Sequence, residues 1–245
     1  MARHWVGTSG WSYANWRYLF YPKGLKQGEW IRFYSEHLKS VEVNATFYRL
    51  PQEKMLEGWV QKTPEDFLFA IKAWRGISHY KRLKDCEEAL KIFLARLWPI
   101  AAKCGPILFQ LPPRFPCDPA RLEAFLALLP EDRRFTMEFR DPSWHCDQVY
   151  ALLGSRNVAF CPFELAELRA PRIASADFVY VRLHGRKARY RGAYSDRALQ
   201  DWAGWLRERM AEGRDAHVYF DNTDEADHAL RNARRLDTLL GAAAD

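Results

Sequence analysis

Polar side chains recur at alternate positions of several apolar segments, and their types are those that carry acid–base catalysis and anion binding. The clearest case is SVEVNATFYRLP, residues 40–51, where two valines alternate with Glu42 and Asn44. A period of two predicts a β-strand that buries its apolar face and turns the other face elsewhere. A carboxylate and an amide on that second face are suited to proton transfer and to orienting a substrate.

The same alternation in other segments predicts a shared polar surface. When each apolar side is assigned to packing against helices, the following residues point to the opposite face: Glu42, Asn44, Lys72, Gln110, Glu138, Arg140, Arg182, His184, Tyr219 and Asp221. Burying an unpaired charge costs several kcal/mol, so six inward charges favour a ligand or catalytic site. The alternative interpretation is a structural network of ion pairs.

Roles follow from the chemistry of each side chain. Arg182, Arg140 and Lys72 are predicted to bind an anion, and Glu138 or Glu42 to act as general acid or base. His184 would transfer protons. The predicted catalytic residues are Glu42, Glu138, His184 and Lys72. The predicted substrate-binding residues are Asn44, Gln110, Arg140, Arg182, Tyr48, Tyr190, Tyr219, Asp221, His79 and Trp11.

Two loops extend this prediction. The segment HGRKARYRGAYS, residues 184–195, interleaves four basic residues with Tyr190 and Tyr194. Guanidinium groups suit phosphate and aromatic rings suit base stacking, while the alternative is a solvated basic loop. The segment GTSGWSYANW, residues 7–16, is not a nucleophile elbow, because Trp11 stands where the final glycine of G-x-S-x-G belongs. Trp11 therefore either walls a cleft or packs over its mouth.

The elements that must position these residues alternate between strand and helix. Strands are predicted at residues 4–9, 40–48, 67–74, 106–112, 134–140, 158–164, 177–184 and 216–222. Helices are predicted at 29–37, 53–63, 86–101, 119–129, 146–154, briefly around Leu165, and at 196–211 and 224–240. Eight such units in 245 residues, without a Gly- or Ser-rich linker, predict one domain over residues 1–245, a closed parallel (β/α)₈ barrel. Such barrels place their sites at the carboxyl ends of the strands.

Composition narrows the class of protein. A formal net charge of +6 favours an anionic partner, although a merely basic surface would give the same value. No apolar run is long enough to span a membrane, and MARHWVGTSG lacks the apolar core of a signal peptide, which predicts a cytoplasmic location. Five scattered cysteines, none in a C-x-x-C pair, predict reduced thiols.

No cofactor is predicted, because the chain lacks G-x-x-x-x-G-K-[ST], G-x-G-x-x-G and H-E-x-x-H. A divalent metal is the alternative, since Glu42, Glu138, His184 and Asp221 could ligate one. The three cationic side chains predicted beside them oppose such a site. The residues leave the oligomeric state open.

Seven motifs resemble the YecE-like family, domain of unknown function 72: GTSGWSY, SVEVNATFYRLP, LFAIKAW with GISHY, GPILFQLPP, MEFRDPSW, YVRLHG with RYRGAYS, and VYFDNT. The resemblance runs from Trp5 to about Leu240. It implies a TIM-type barrel and supplies no activity. The family commonly has His where Asp141 stands and Asn where Asp221 stands, and the second difference adds a negative charge near the predicted site.

Three functions are consistent with these observations. The first is an enzyme with hydrolase- or lyase-type acid–base chemistry on an anionic, phosphate-bearing small substrate. The second is a nucleic-acid-binding or processing barrel, by fold-level analogy with endonucleases that act on damaged DNA. The third is a ligand-binding barrel without catalysis.

Overall fold

The computed structural model describes residues 2–186 and 188–242. Ten strands are present: β1 (His4–Ser9), β2 (Ser40–Val43), β3 (Leu68–Lys72), β4 (Cys104–Leu111), β5 (Phe135–Phe139), β6 (Ala159–Phe160), β7 (Phe163–Leu165), β8 (Leu168–Arg169), β9 (Phe178–Leu183) and β10 (Asp215–Phe220). Eight α-helices surround them: α1 (Trp30–Ser35), α2 (Ala45–Tyr48), α3 (Glu53–Gln61), α4 (Glu87–Arg96), α5 (Pro119–Leu126), α6 (Asp147–Ser155), α7 (Asp196–Ala211) and α8 (His228–Gly241). Lys187, which belongs to the predicted basic loop, lies outside the described residues.

Shorter helical turns complete the chain: 3₁₀ turns at Ala14–Trp16, Gln27–Glu29, Trp98–Lys103 and Pro142–Trp144, and one π-helical turn at Gly76–Tyr80. Side-chain caps mark two of the longer helices. Ser195 accepts a hydrogen bond from the amide of Ala198 at the start of α7, and Asp118 accepts one from the amide of Arg121 at the start of α5. These caps satisfy amide groups that have no partner within the helix.

The strands form one curled sheet in the order β6-β5-β4-β3-β2-β1-β10-β9-β7-β8. All neighbouring pairs are parallel except the antiparallel pair of β7 and β8. Because parallel strands run in the same direction, their carboxyl ends lie together at one end of the curled sheet. We call this end the carboxyl end and the opposite end, where the strands begin, the amino end.

The prediction of a closed parallel (β/α)₈ barrel is wrong. The sheet is open, and its two edges lie 13 Å apart. The predicted strand over residues 158–164 is divided into β6 and β7 at Cys161 and Pro162. Proline has no amide donor for a strand ladder, and β6 consequently pairs with β5 through only two residue positions.

Two element boundaries also differ from prediction. The sequence predicts a short helix around Leu165, but Leu165 ends β7 and the turn after it leads into β8. Sequence alternation could not reveal this hairpin because each strand is only two or three residues long. The predicted strand over residues 40–48 ends at Val43, and α2 follows directly after Asn44. Asn44 therefore lies at a strand-to-helix junction.

The two faces of the sheet differ in chemistry. On the helix-facing side Val43, Phe109 and Val181 are almost entirely buried and belong to one continuous apolar core. Each such side chain contributes about 1.5–3 kcal/mol by leaving water. The concave face carries a smaller buried cluster of Ala70, Leu108, Ala159, Cys161, Ala176, Phe178, Tyr180 and Tyr219. Charged side chains lie beyond this inner cluster, toward the carboxyl ends of the strands.

Within the described range no helix is long and apolar enough to cross a membrane. The five cysteines are free thiols.

Candidate active site at the carboxyl ends of the strands

Arg182, near the end of β9, is the centre of a buried ion-pair network. Its guanidinium makes a two-point contact with Glu42, through Nη2 to Oε1 at 2.7 Å and through Nε to Oε2 at 2.8 Å. A third hydrogen bond runs from Nη1 to Oε2 of Glu138, also at 2.8 Å. All three side chains are fully buried. Because buried charges are tolerated only when paired and hydrogen-bonded, each depends on the others.

Glu42 has further donors from neighbouring strands. Ser9 at the end of β1 donates its hydroxyl to Oε1, and Tyr180 on β9 donates to Oε2 at 2.7 Å. Both carboxylate oxygens of Glu42 are therefore engaged twice. Tyr13, in the loop after β1, donates its hydroxyl to the carbonyl of Ser9 and covers this corner of the network.

Glu138 on β5 lies between two guanidinium groups. Arg140 donates Nε to Oε1, while Arg182 occupies Oε2. Burial alone would raise the pKa of Glu138, but the positive charges of Arg140 and Arg182 hold it well below 4.5. Arg140 also lies over the ring of Phe163, 4.6 Å from its centroid. Glu138 is consequently a fixed anion with both oxygens occupied.

His184 links this network to Asp221. Its Nδ1 lies 2.8 Å from Oδ2 of Asp221, and its Nε2 lies 3.1 Å from Nη2 of Arg140. A guanidinium can only donate, so Nε2 accepts this hydrogen bond and the proton resides on Nδ1. Asp221 therefore orients an imidazole whose two nitrogens are both bonded.

Asp221 is the most exposed of the three carboxylates, with 12% of its side chain accessible compared with none for Glu42 and Glu138. Its Oδ2 also accepts a hydrogen bond from Arg182 at 3.2 Å. Burial would raise its pKa, but the hydrogen bond from His184 and the charges of Arg182 and Lys72 lower it below 3.8. Asp221 is thus an anion at the mouth of the network.

Lys72, at the end of β3, lies beside the network without joining it. Its Nζ lies 4.4 Å from the ring centroid of Phe47. Among the residues that the structure describes, no carboxylate pairs with this amine. Burial, with the charge of Arg182, lowers the pKa of Lys72 to about 8. A proton on Lys72 is therefore held more weakly than on an ordinary lysine.

His79, in the π-helical turn after β3, packs edge-on against the ring of Phe47, with ring centroids 4.9 Å apart. Its Nδ1 lies 2.9 Å from the hydroxyl of Ser78. Partial burial and the charge of Lys72 lower the pKa of His79 to about 4, so the imidazole is neutral near neutral pH. Lys72 and His79 thus flank one aromatic ring at the mouth.

The remaining predicted residues are divided between mouth and interior. Asn44 is half-buried, and its Oδ1 is buried without a hydrogen-bond partner among the described residues. Gln110 is half-buried and donates to the carbonyl of Leu111 at 3.2 Å. Tyr48 is 60% exposed. Tyr219 lies in the apolar inner cluster and bonds Ser40 at 2.7 Å, so it is remote from solvent.

The two aromatic residues predicted from loops, Tyr190 and Trp11, lie in different surroundings. Tyr190 packs edge-on against His184, with centroids 5.6 Å apart, and borders the network. Trp11 instead packs edge-on against Trp59 of α3 at 4.9 Å, which places its ring toward the helical layer. Arg186, from the basic loop, lies 3.5 Å from Glu164 rather than beside Arg182.

Three further residues complete the network: Ser9, Tyr180 and Tyr13. Strand alternation turns Tyr180 inward with Arg182 and His184, and the same parity could have identified Ser9 on the concave side of β1. Tyr13 carries no periodic signal because it lies in a loop.

No group of three His, Cys, Asp or Glu side chains within residues 2–186 and 188–242 is arranged to hold a metal ion. The cationic groups explain this, because Arg140 and Arg182 occupy the oxygens that a metal would need. The structure thus gives no support to a metal at Glu42, Glu138, His184 and Asp221.

Fold and site together define an α/β protein whose curled sheet carries a buried ion-pair network at its carboxyl end. The chain belongs to the family described as Protein of unknown function DUF72, whose model matches residues 5–245. This confirms the resemblance inferred from the motifs.

Three relatives show the extent of the similarity. The UPF0759 protein YunF of Bacillus subtilis is 27% identical over 273 aligned positions, covering 96% of this chain and 94% of YunF. The UPF0759 protein YecE of Escherichia coli K12 is 32% identical over 141 positions, covering 57% of this chain and 49% of YecE. A DUF72 family protein from Thermotoga maritima superposes with a TM-score of 0.87 at 27% identity, covering 98% of this chain and all of that one (100%).

Proposed function

We propose that this protein is an enzyme that performs acid–base chemistry on an anionic small molecule at the carboxyl end of the sheet. One observation carries the proposal. Every other charged group of the site is paired within the protein, whereas Lys72 is half-buried beside the network and, in the described part of the chain, pairs with no carboxylate. An anionic group of a substrate would supply the missing partner.

The network divides the predicted residues into two groups. Glu42, Glu138 and Arg182 are fully buried and saturated, so their role is to position Arg140 and Asp221 rather than to exchange protons with a substrate. The side chains that face the mouth are Lys72, His79 and Asp221. Lys72 would bind the anion, and Asp221 would accept a proton, because it is the carboxylate with solvent access. His79, neutral near pH 7, is the second candidate proton acceptor.

The binding step can be tested before the substrate is known. Inorganic phosphate and glycerol 3-phosphate serve as probes in a thermal-unfolding assay on the wild type and on Lys72→Met. Both probes are expected to raise the melting temperature of the wild type, and the variant to lose that rise. The matched control is Lys91→Met, since Lys91 is exposed on the outer surface of α4. Equal shifts in wild type and Lys72→Met would contradict the role of Lys72.

Binding should also weaken as pH rises. Lys72 is charged below its pKa of about 8 and neutral above it. The rise in melting temperature produced by glycerol 3-phosphate should therefore be larger at pH 7 than at pH 9 in the wild type. A rise that is the same at both pH values would show that another cation binds the probe.

Catalysis is a separate question from binding. Once a ligand is found, Asp221→Asn keeps the shape of the side chain and removes its charge. We expect this variant to bind the ligand and to lose turnover, measured as product formed under saturating ligand. A ligand that binds the wild type and yields no product under any condition would favour the non-catalytic ligand-binding alternative.

Nucleic-acid binding is the second candidate, and one observation favours it. The exposed rings of Tyr48 and Tyr80 flank the guanidinium of Arg75, with centroids 5.6 Å and 5.2 Å from its Cζ. Exposed aromatic and arginine groups suit stacking on unpaired bases. A gel-shift assay with a single-stranded oligonucleotide at low salt tests this candidate. Binding that falls with salt and is lost in Tyr48→Ala/Tyr80→Ala would support it, and no shift by the wild type would exclude it.

A further inference from the structure

A cavity lies at the amino end of the sheet, opposite the ion-pair network. It occupies about 420 Å³ and is bordered by the starts of β1, β3, β4 and β10 and by the turn that contains Trp98. We call it the amino-end cavity and define it by six of its lining residues: Arg3, Trp5, Trp98, Arg133, Arg134 and His217. Its volume is within the range of small-molecule sites.

His217 on β10 gives the first indication of a ligand. Its side chain is 1% exposed, and neither ring nitrogen has a hydrogen-bond partner among the described residues. The ring lies between Trp5, stacked at 4.8 Å, and Tyr180, at 6.3 Å. A buried polar group without a partner costs about 1–3 kcal/mol. His217 thus lines the inner wall of the cavity with hydrogen-bonding groups that the described residues leave unused.

The charge of the lining gives the second indication. Asp132 is the one carboxylate that borders the cavity, against three arginines. Arg134 is paired with Asp215 at 2.7 Å. Arg3 and Arg133 have no carboxylate partner within residues 2–186 and 188–242. Two guanidinium groups with free donors beside one cavity favour an anionic group such as phosphate or carboxylate.

The aromatic surface gives the third indication. Trp5 has Arg3 over its ring at 4.8 Å and His217 stacked against it, so its ring is already covered. Trp98 borders the same cavity and is 78% exposed. An exposed indole beside free guanidinium groups offers a stacking surface for a planar ring.

We propose that the amino-end cavity binds a planar aromatic anion of about mononucleotide size. The ring stacks on Trp98 and the anionic group bonds Arg3 and Arg133, while the buried ring of His217 forms the inner wall of the cavity. This site is independent of the proposed activity, because no residue of it belongs to the network at the carboxyl end.

Adenosine 5′-monophosphate is the probe, and titration calorimetry on the full chain is the measurement. In the Lys72→Met background, which removes the proposed anion site at the carboxyl end, we expect one molecule to bind per chain. Trp98→Ala should weaken binding about tenfold, the change expected when one stacked base loses its aromatic partner. Arg133→Ala should weaken binding of this probe by a similar factor and leave binding of adenosine, which lacks phosphate, unchanged. Trp98→Phe should retain most of the affinity, since it keeps a stacking surface.

Two controls distinguish this site from others. Arg169→Ala removes an exposed arginine far from the cavity and should not change affinity. Measured in the Lys72→Met background, the losses caused by Trp98→Ala and Arg133→Ala should persist, which separates this site from the carboxyl end. In that background, no binding of the probe, binding that survives both Trp98→Ala and Arg133→Ala, or inorganic phosphate binding as tightly as the nucleotide would each overturn the proposal.

Discussion

Two buried histidines on neighbouring strands of one sheet show how differently its two ends are built. His184, just after β9 at the carboxyl end, has both ring nitrogens engaged, by Asp221 at 2.8 Å and Arg140 at 3.1 Å. His217, on β10 at the amino end, is equally buried and has neither nitrogen engaged within the described residues. The ion-pair network at the carboxyl end satisfies its polar groups internally, whereas the described residues of the amino end leave an imidazole without hydrogen bonds and two arginines without a carboxylate partner.

This difference separates stability from ligand binding. Groups that are saturated by the protein hold the fold together and cannot contact a ligand without losing a partner. Groups without partners add little to stability and are available to bind. Within the carboxyl end the same distinction applies, since Arg182 is saturated and Lys72 is not.

The largest expected effect is at the centre of the network. Arg182→Met leaves Glu42 and Glu138 buried beside an apolar side chain, which should lower the free energy of unfolding by roughly 3–5 kcal/mol. Chemical denaturation measures it. Arg182→Lys keeps the charge but not the two-point contact with Glu42, and an intermediate loss is expected. A loss below about 1 kcal/mol in Arg182→Met would show that the network does not stabilise the fold.

The same substitution at the two histidines tests the comparison directly. His184→Phe deprives Asp221 and Arg140 of a hydrogen-bond partner each and should cost about 2–3 kcal/mol. His217→Phe removes two nitrogens that have no partner, so its stability should stay within about 1 kcal/mol of the wild type. Thermal and chemical unfolding of both variants give the values. Equal losses would mean that the two ends do not differ in the way the geometry indicates.

Acid should destabilise the wild type more than His217→Phe. Burial, with the charges of Arg134 and Arg3, lowers the pKa of His217 from 6.5 to about 3. On acidification the unfolded chain protonates His217 near pH 6.5, whereas the folded protein does so only near pH 3. The neutral imidazole therefore contributes its full stability above about pH 6.5, and this contribution is lost as pH falls toward 3. Between pH 6 and pH 4 the wild type should lose about 2 kcal/mol more than the variant.

The difference between wild type and His217→Phe in stability lost on acidification does not depend on the lowered pKa values of Glu138 and Asp221. Both carboxylates add stability that falls with pH below their ordinary values, but they do so equally in the two proteins. Denaturation curves at several pH values provide the measurement. Parallel stability profiles for wild type and His217→Phe would show that the imidazole is protonated, or solvated, in the folded state.

The smallest expected effect on stability is at the amino-end cavity. Trp98 is 78% exposed, so Trp98→Ala should change the free energy of unfolding by no more than about 0.5 kcal/mol. The same variant should weaken nucleotide binding about tenfold, as described above. A loss of several kcal/mol in the absence of ligand would show that Trp98 is a packing residue, and it would weaken the distinction between the two ends.

The sequence by itself determined which face of each strand is polar. Alternation places Glu42, Glu138, Arg182 and Asp221 on one side and valines, phenylalanines and leucines on the other, because successive side chains of a strand point to opposite faces. The structure brings these four charged residues into direct contact. It also agrees with most predicted strands and helices, since each long element repeats its pattern several times.

Only the tertiary structure decided how those side chains are paired. Periodicity gives a face but not a partner, so the saturation of Arg182 by three carboxylates and the isolation of Lys72 depend on strand register and sheet curvature. The opening of the sheet at Pro162 depends on pairing between short strands, where two or three residues carry no readable period. The amino-end cavity joins Trp98 and His217, which are remote in sequence, and a single strand pattern holds no information about such a contact.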